Sequence, residues 1–169
     1  MPRPDLSKIP EWYHGYINLA DGNDVVAAIK KQTPVILRFF NTIPPEKINY
    51  RYAKGKWTLK ELLQHIIDGE RIFAYRALCI ARKDTTNLPG FDENDYADNS
   101  KANKREWKDL IAELKAVRQS TEFLFDSFDK AQIASVGTAN KNPVSVLAIG
   151  FILVGHINHH LKVVKEKYL

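Results

Sequence analysis

Apolar side chains recur three and four residues apart along four long segments of the chain. This spacing is that of one face of an α-helix. The segments cover, approximately, residues 21 or 24 to 43, 58–82, 100–128 and 142–168. No alternating strand pattern of comparable length occurs between them. The pattern therefore predicts an all-α fold, a four-helix bundle whose helices are joined by long connecting loops.

Local signals mark where two of these helices begin. Thr58 and Glu61 are predicted to form a capping box, in which each side chain satisfies a free backbone N–H group of the first helical turn. Asn142 as the N-cap and Pro143 at the first helical position are predicted to open the last helix.

The segments outside the four helices are predicted to be irregular. Residues 1–20 carry three prolines and three aromatic side chains, which is typical of an arm that docks on the body of a domain. Residues 87–100 are rich in polar and acidic residues and are expected to form a long loop. A chain of 169 residues suits one core, so we expect residues 1–169 to form a single helical bundle domain.

The last helix is apolar on every side from Val144 to Val154. Such a segment must be covered by other helices, by the N-terminal arm or by a second copy of the protein, and we expect a homodimer. The segment is about half as long as the roughly 20 residues that span a bilayer, and no apolar run opens the chain. These observations predict a soluble protein with no membrane partner.

Charge and cysteine content narrow the class of protein further. The 25 Lys and Arg residues exceed the 20 Asp and Glu residues, which gives a net charge of +5. Basic and acidic residues alternate along the chain without a basic block, so we expect no nucleic-acid partner. Cys79 is the only cysteine, which excludes a disulfide framework and a cysteine-rich zinc module and predicts a cytoplasmic protein.

Three of the five histidines lie within five residues near the end of the chain. His156 and His160 are four residues apart, so they stand one turn apart on a helix face, within joint reach of one metal ion. Such a pair needs a third group from another helix, and His65 in the second helix is the candidate. Histidine pairs at this spacing also arise by chance on exposed helix ends. Three imidazoles suit zinc or nickel better than magnesium, which prefers oxygen ligands.

The remaining polar candidates have plainer interpretations. Glu70 lies in the apolar face of the second helix and needs a partner, in a structural ion pair or hydrogen bond or in a role that supports the site. Asp68 and Glu61 lie close enough to the histidine of that helix to orient its imidazole, although both residue types are more often solvated. His159 is interpreted as a surface or supporting residue, and His14 as a surface or packing residue.

Several of these features occur in an order that is typical of one known family. They are the segment 55–71 (GKWTLKELLQHIIDGER), the segment 88–92 (LPGFD), and His156 with His160 near the end of the chain. This ordered set resembles the DinB-like superfamily, which is related to the YfiT-like metal-dependent hydrolases. The family name refers to induction by DNA damage and implies no DNA contact.

The resemblance implies a four-helix bundle, often a homodimer, that holds a divalent metal ion through His65, His156 and His160. An open position on such an ion can activate water, as in a hydrolase, or a low-molecular-weight thiol, as in an S-transferase for a small-molecule substrate. A non-catalytic metal-binding stress-response protein is the remaining alternative. The rest of such a thiol molecule needs cationic side chains to bind its anionic groups. The basic residues before the second helix can supply these contacts: Arg51, Lys54 and Lys56.

Overall fold

Four long helices pack around one another in the computed structural model, which describes residues 3–169. In chain order the elements are α1 (His14–Leu19), α2 (Val25–Asn41), α3 (Leu59–Ala81), α4 (Glu93–Ser100), α5 (Trp107–Asp126), α6 (Lys130–Ala134), β1 (Val136–Ala139), β2 (Asn142–Ser145) and α7 (Val146–Lys167). Helices α2 and α3 each contact both α5 and α7, so the four long helices form a closed ring. The predicted all-α four-helix bundle is confirmed.

A buried ion pair ties three of the four long helices together. The Arg118 guanidinium on α5 donates to both carboxylate oxygens of Glu70 on α3, at 3.0 and 3.1 Å. It also donates to the Thr33 hydroxyl at 3.2 Å and to the Ile29 carbonyl at 2.8 Å, both on α2. The side chains of the pair are 0% and 1% exposed. Glu70 therefore forms the structural ion pair that was one of its two expected roles.

The apolar first half of α7 is covered from within the chain. Helix α1 packs along it so closely that a Cβ atom on Gly155 would overlap the Tyr16 carbonyl. The Arg3 guanidinium adds to this cover, 4.8 Å from the centre of the Phe151 ring. By length and composition α7 could cross a membrane, but 72% of its most apolar window is buried, as in the core helix of a globular bundle. The N-terminal segment thus covers α7, and the homodimer stays a prediction.

The N-terminal arm and the acidic segment contain more helix than the sequence predicts. Two 3-10 turns, Leu6–Lys8 and Glu11–Tyr13, precede α1, so the arm is not irregular; its first two residues, 1 and 2, lie outside the described part. The acidic segment forms α4, because the Asp92 side chain accepts hydrogen bonds from two backbone N–H groups of its first turn, at 2.8 and 3.0 Å. Lys101 then adopts a left-handed conformation with φ of 54°. The third long helix therefore begins at Trp107 rather than near residue 100.

The last helix also begins later than predicted, because a β-hairpin precedes it. Asn140 and Lys141 have φ values of 50° and 64°, the left-handed pair that a two-residue hairpin turn requires. Strands β1 and β2 pair antiparallel across this turn, and Pro143 lies in β2. Ser145 caps the helix by accepting a backbone N–H of its first turn at 3.1 Å. The helix-opening roles predicted for Asn142 and Pro143 are therefore wrong.

Replacing Glu70 by Gln is expected to lower the free energy of unfolding by about 3–5 kcal/mol, because the Arg118 charge then stays buried without its partner. Urea titration followed by circular dichroism measures the loss. The matched control is Lys30→Ala, which removes an exposed ion pair with Asp126 at 2.7 Å and should cost no more than about 1 kcal/mol. Equal effects of the two replacements would contradict a central role for the buried pair.

Candidate metal centre

Three histidine side chains from two helices meet where α3 packs against α7. His65 Nε2 lies 2.9 Å from His156 Nε2, and His160 Nε2 lies 3.0 Å from the same atom. The three candidate ligand atoms all lie within 4.8 Å of one another, and all three residues are buried. The structure thus brings together the residues that the sequence predicts as metal ligands, and we call them the histidine cluster.

The surrounding sequence determines where these rings lie. Thr58 and Glu61 form the predicted capping box, which fixes the start of α3 two turns before His65. Gly69, one turn after His65, leaves room for the imidazole of His156, because a Cβ atom on Gly69 would lie 3.2 Å from its Cε1 atom. A larger residue at position 69 would therefore press against a ring of the cluster.

Aromatic side chains surround the cluster. The Trp57 ring packs against His65, with ring centroids 4.8 Å apart. Tyr16 and Phe73 contact His156, with ring centroids at 5.5 and 6.3 Å. These rings are largely apolar, so they form a mostly apolar lining around the imidazoles.

Burial keeps the three imidazoles neutral. Desolvation, followed by the charges of neighbouring histidines, lowers the pKa of His156 to about 3 and the pKa of His65 to about 4. The pKa of His160 lies well below its ordinary value for the same two reasons. A neutral imidazole has the ring lone pair that a metal ion binds. At neutral pH the cluster is therefore in the protonation state that binds a metal.

The contacts within the cluster fit a shared metal ion better than a chain of hydrogen bonds. A neutral imidazole nitrogen carries either one N–H or one lone pair, so His156 Nε2 cannot form good hydrogen bonds to both neighbours. Two nitrogens that each lie about 2.0–2.1 Å from one zinc ion are about 2.9–3.4 Å apart at bond angles of about 90–109°. The observed separations of 2.9 and 3.0 Å fall in this range. These two separations fit one divalent ion, and the ligand atoms of His65 and His160 lie within 4.8 Å of each other.

The carboxylates that the sequence places near the α3 histidine form other contacts. Glu61 accepts hydrogen bonds from Asn103 at 2.7 Å and from Arg51 at 3.2 Å. Asp68 accepts a hydrogen bond from Gln64 at 2.9 Å. Within residues 3–169 neither carboxylate has a hydrogen bond to an imidazole of the cluster. Their contacts therefore do not support the role of orienting the His65 imidazole.

The other two histidines stand outside the cluster. His159 is half-buried and packs edge-on against Tyr16, with ring centroids 5.5 Å apart. His14 Nε2 lies 2.8 Å from the Ile9 carbonyl oxygen, which is a packing contact within the N-terminal segment. Both residues therefore have the supporting or packing positions that the sequence predicts.

Two cavities meet at the histidine cluster. Their shared border is formed by Trp57, Glu93 and His160. The first cavity has a volume of about 260 Å³ and contains Lys56, so we call it the Lys56 cavity. The second has a volume of about 250 Å³, contains Arg76 and reaches the other two histidines of the cluster, so we call it the Arg76 cavity. The cluster is thus accessible to a small molecule from two sides.

Glu93 is a functional candidate that the sequence reasoning missed. It lies in the first turn of α4, is exposed, and borders both cavities. Burial raises the pKa of Tyr16, which borders the Arg76 cavity with Glu93, and the negative charge of Glu93 raises this pKa further. The sequence signal that could have revealed this helix is Asp92, a residue type that favours the N-cap position. Its side chain caps α4, the helix that carries Glu93.

The basic residues before α3 are only partly available to a ligand. Arg51 forms an ion pair with Glu61 at 3.2 Å and donates to the Lys56 carbonyl at 2.7 Å. The Lys56 side chain is exposed at the cavity named after it. Among the described residues that border either cavity, Lys54 is not present. Of the three predicted anion contacts, Lys56 is therefore the one in position.

These features define a class of protein, a four-helix bundle with a buried three-histidine centre that is open to two cavities. The family model described as the DinB superfamily matches residues 28–164. The chain therefore belongs to the DinB superfamily, as the resemblance of its motifs implies.

The fold is also similar to that of a solved protein from Bacillus subtilis. That protein is YfiT, described as a probable metal-dependent hydrolase with an unusual four-helix bundle topology. The two structures have a TM-score of 0.70 and 17% sequence identity, over 98% of this chain and 90% of that chain. At this identity the likeness establishes the fold. No curated protein sequence matches the chain.

The buried neutral histidines predict that the metal-free protein loses stability in mild acid. Below about pH 6.5 the histidines of the unfolded chain take up protons. In the folded chain the pKa values of His156 and His65 are about 3 and about 4, so these imidazoles stay neutral there. The free energy of unfolding should therefore fall by about 1.4 kcal/mol per histidine for each pH unit below that value. Urea titration of the chelator-treated protein at about pH 6.5 and about pH 5 measures the slope.

The matched control for this pH dependence is His156→Gln, which removes one of the three buried imidazoles. The variant should lose about a third of the slope that the cluster produces. A wild-type free energy of unfolding that does not change over this pH interval would contradict the neutral, buried state of the cluster.

Proposed function

We propose that this protein is a metal-dependent hydrolase whose divalent ion is held by His65, His156 and His160. The observation that carries the proposal is the convergence of three neutral imidazole nitrogens where two open cavities meet. Three protein ligands leave a coordination position free for water or substrate, as in catalytic zinc sites. Membership of the DinB superfamily and the likeness to YfiT, itself described as a probable metal-dependent hydrolase, support this class of reaction.

The chemistry that the ion supplies when bound is a lowered pKa of water, which makes a nucleophile available near neutral pH. Glu93 is the residue placed to accept a proton, because its carboxylate is exposed and borders both cavities at the cluster. Glu61 and Asp68 suit this role less, because they already accept hydrogen bonds from other side chains. Trp57 and Tyr16 pack against rings of the cluster and provide apolar surface beside it.

The ligand set favours zinc or nickel. Imidazole nitrogen is a ligand of intermediate softness that first-row transition ions prefer, whereas magnesium prefers oxygen. Cys79 is half-buried on α3, and no other cysteine is present to form a disulfide. We therefore place the protein in the reducing cytoplasm, as the sequence predicts.

A thiol-dependent S-transferase is the second candidate, and the Lys56 cavity is the observation that favours it. This cavity is bordered by one exposed ammonium group and by the aromatic rings of Tyr52 and Tyr168. An anionic, partly apolar thiol could bind there with its sulfur at the cluster. Transfer from an ionised thiol needs no general base, so Glu93 would be dispensable in this reaction.

Turnover assays with the tag-free, metal-loaded protein separate these candidates. The protein is incubated with panels of esters, amides and other electrophiles, with and without cysteine, glutathione or bacillithiol. We expect turnover with water alone, its loss in His65→Ala, and its retention in the control His14→Ala, whose histidine lies outside the cluster. Glu93→Gln should keep the metal and lose about 100-fold or more in kcat, the usual contribution of a general base.

The other outcomes assign the alternatives. Turnover that requires a thiol, and that survives Glu93→Gln, would favour the S-transferase over the hydrolase. Full metal occupancy with no turnover in either set of reactions would contradict catalysis and leave a non-catalytic metal-binding stress-response protein.

A further inference from the structure

Arg76 on α3 is a buried cation that pairs with no carboxylate in the described part of the chain. Its exposure is 4%, and its hydrogen bond within residues 3–169 runs from Nη2 to the Pro89 carbonyl at 2.6 Å. Its guanidinium lies 5.4 Å from the centre of the Phe73 ring. A guanidinium carries five N–H donors and keeps its charge in proteins. Four of these donors therefore have no partner among the described residues.

Each nitrogen of the other buried guanidinium of this fold has a hydrogen-bond partner. Arg118 is held by both oxygens of Glu70 and by two further acceptors on α2. A buried charge is strongly unfavourable unless it is paired and hydrogen-bonded. The unpaired nitrogens of Arg76 are not enclosed by protein atoms but face the cavity, where water or an anion from outside the chain can contact them. The contrast between the two residues points to a ligand-binding role for Arg76.

Arg76 faces the same cavity as the histidine cluster. It follows His65 by eleven residues on α3, which corresponds to about 16 Å along the helix axis and about 20° around it, so both lie on one helix face. Side chains on a helix lean toward its N-terminus, which directs Arg76 toward the cluster. Both residues border the Arg76 cavity, whose 250 Å³ equals the liquid volume of about eight water molecules. A small molecule can therefore contact both.

The charges in this cavity are separated. Glu93 borders both cavities and so lies at the end where they meet, beside His160. Arg76 does not border the Lys56 cavity; it borders an outer groove formed by Pro89 and Phe91. The carboxylate thus also borders the Lys56 cavity, whereas the cation also borders the outer groove. A ligand with one anionic end would bind with that end at Arg76.

We propose that Arg76 is the anion-binding residue of this site. The ligand is a small organic acid whose carboxylate lies on the Arg76 guanidinium and whose other end lies at the histidine cluster. A planar carboxylate matches the fork of guanidinium N–H groups, and Phe73 and Phe91 provide apolar contacts for the carbon skeleton between the two ends. That such an acid is the hydrolase substrate rests on the proposed function; anion binding by Arg76 does not.

Calorimetric titration with benzoate and benzamide tests the anion site directly. The two probes have nearly the same shape and differ in charge. In chelator-treated protein, where benzoate cannot bind a metal ion instead, the wild type should bind benzoate at least about tenfold more tightly than benzamide. Arg76→Gln should abolish this preference. The matched control is Arg82→Gln, since Arg82 is exposed and stacks on Phe128 at 5.8 Å outside the cavity.

Proton relaxation of benzoate in the nickel-loaded wild type tests where the anion binds. With the carboxylate at Arg76 and the ring directed toward the cluster, the para proton should broaden more than the ortho protons. Greater broadening of the ortho protons would place the carboxylate on the metal, and an absence of broadening would place it in the outer groove; either result overturns the proposal. If Arg76→Gln does not fold, Arg76→Lys should still weaken benzoate binding, and this relaxation measurement decides the location.

The other outcomes of these titrations also decide between the alternatives. Equal affinities for benzoate and benzamide in the wild type, or an unchanged preference in Arg76→Gln, would overturn the anion site. Phenyl phosphate that binds through Arg76 where benzoate does not would overturn the assignment of a carboxylate. Benzoate binding that depends on Arg76, together with no turnover in the hydrolase assays, would overturn the proposed function and leave the anion site standing.

Discussion

The contact between α3 and α7 is the constraint on which the site depends, because it brings three imidazoles into one small buried space. Because the imidazoles are neutral, His156 Nε2 can lie 2.9 and 3.0 Å from the Nε2 atoms of the other two rings without charge repulsion. One ring nitrogen cannot, however, form good hydrogen bonds to both of those nitrogens. A shared cation satisfies all three. The bundle supports this contact in two ways, since Gly69 leaves room for the His156 ring and the Arg118–Glu70 pair joins α3 to α5 and α2.

The surroundings of the cluster give the site a direction. Glu93 lies where the two cavities meet, and the unpaired Arg76 borders one of them together with an outer groove. A carboxylate beside the cluster is suited to accepting a proton, and a cation in the same cavity is suited to holding an anionic group while the rest of a molecule reaches the cluster. The polarity of the cleft therefore favours a small ligand that is charged at one end.

Much of this site follows from local sequence, and the rest depends on contacts between distant segments. Two features are properties of single helices and can therefore be predicted from the sequence. They are the i, i+4 spacing of His156 and His160 and the capping box that starts α3. Glu93 was missed because the helix that carries it is short and acidic. Lys101 follows the end of α4 and Asn140 lies in the hairpin turn, and both adopt left-handed conformations. Glycine is the usual sequence signal for such positions, and neither residue is a glycine. The packing of α1 on α7 depends on the distant Gly155.

The metal content of the protein tests the account most directly. Elemental analysis of tag-free protein, purified after growth with zinc or with nickel, measures the number of ions bound to each chain. We expect one ion per chain and its loss in His65→Ala and in His160→Ala, with the helical content unchanged. The ion should be retained in His159→Ala, since His159 lies outside the cluster. A wild type without metal under every supplementation, or binding that survives the loss of His65 and His160, would contradict it.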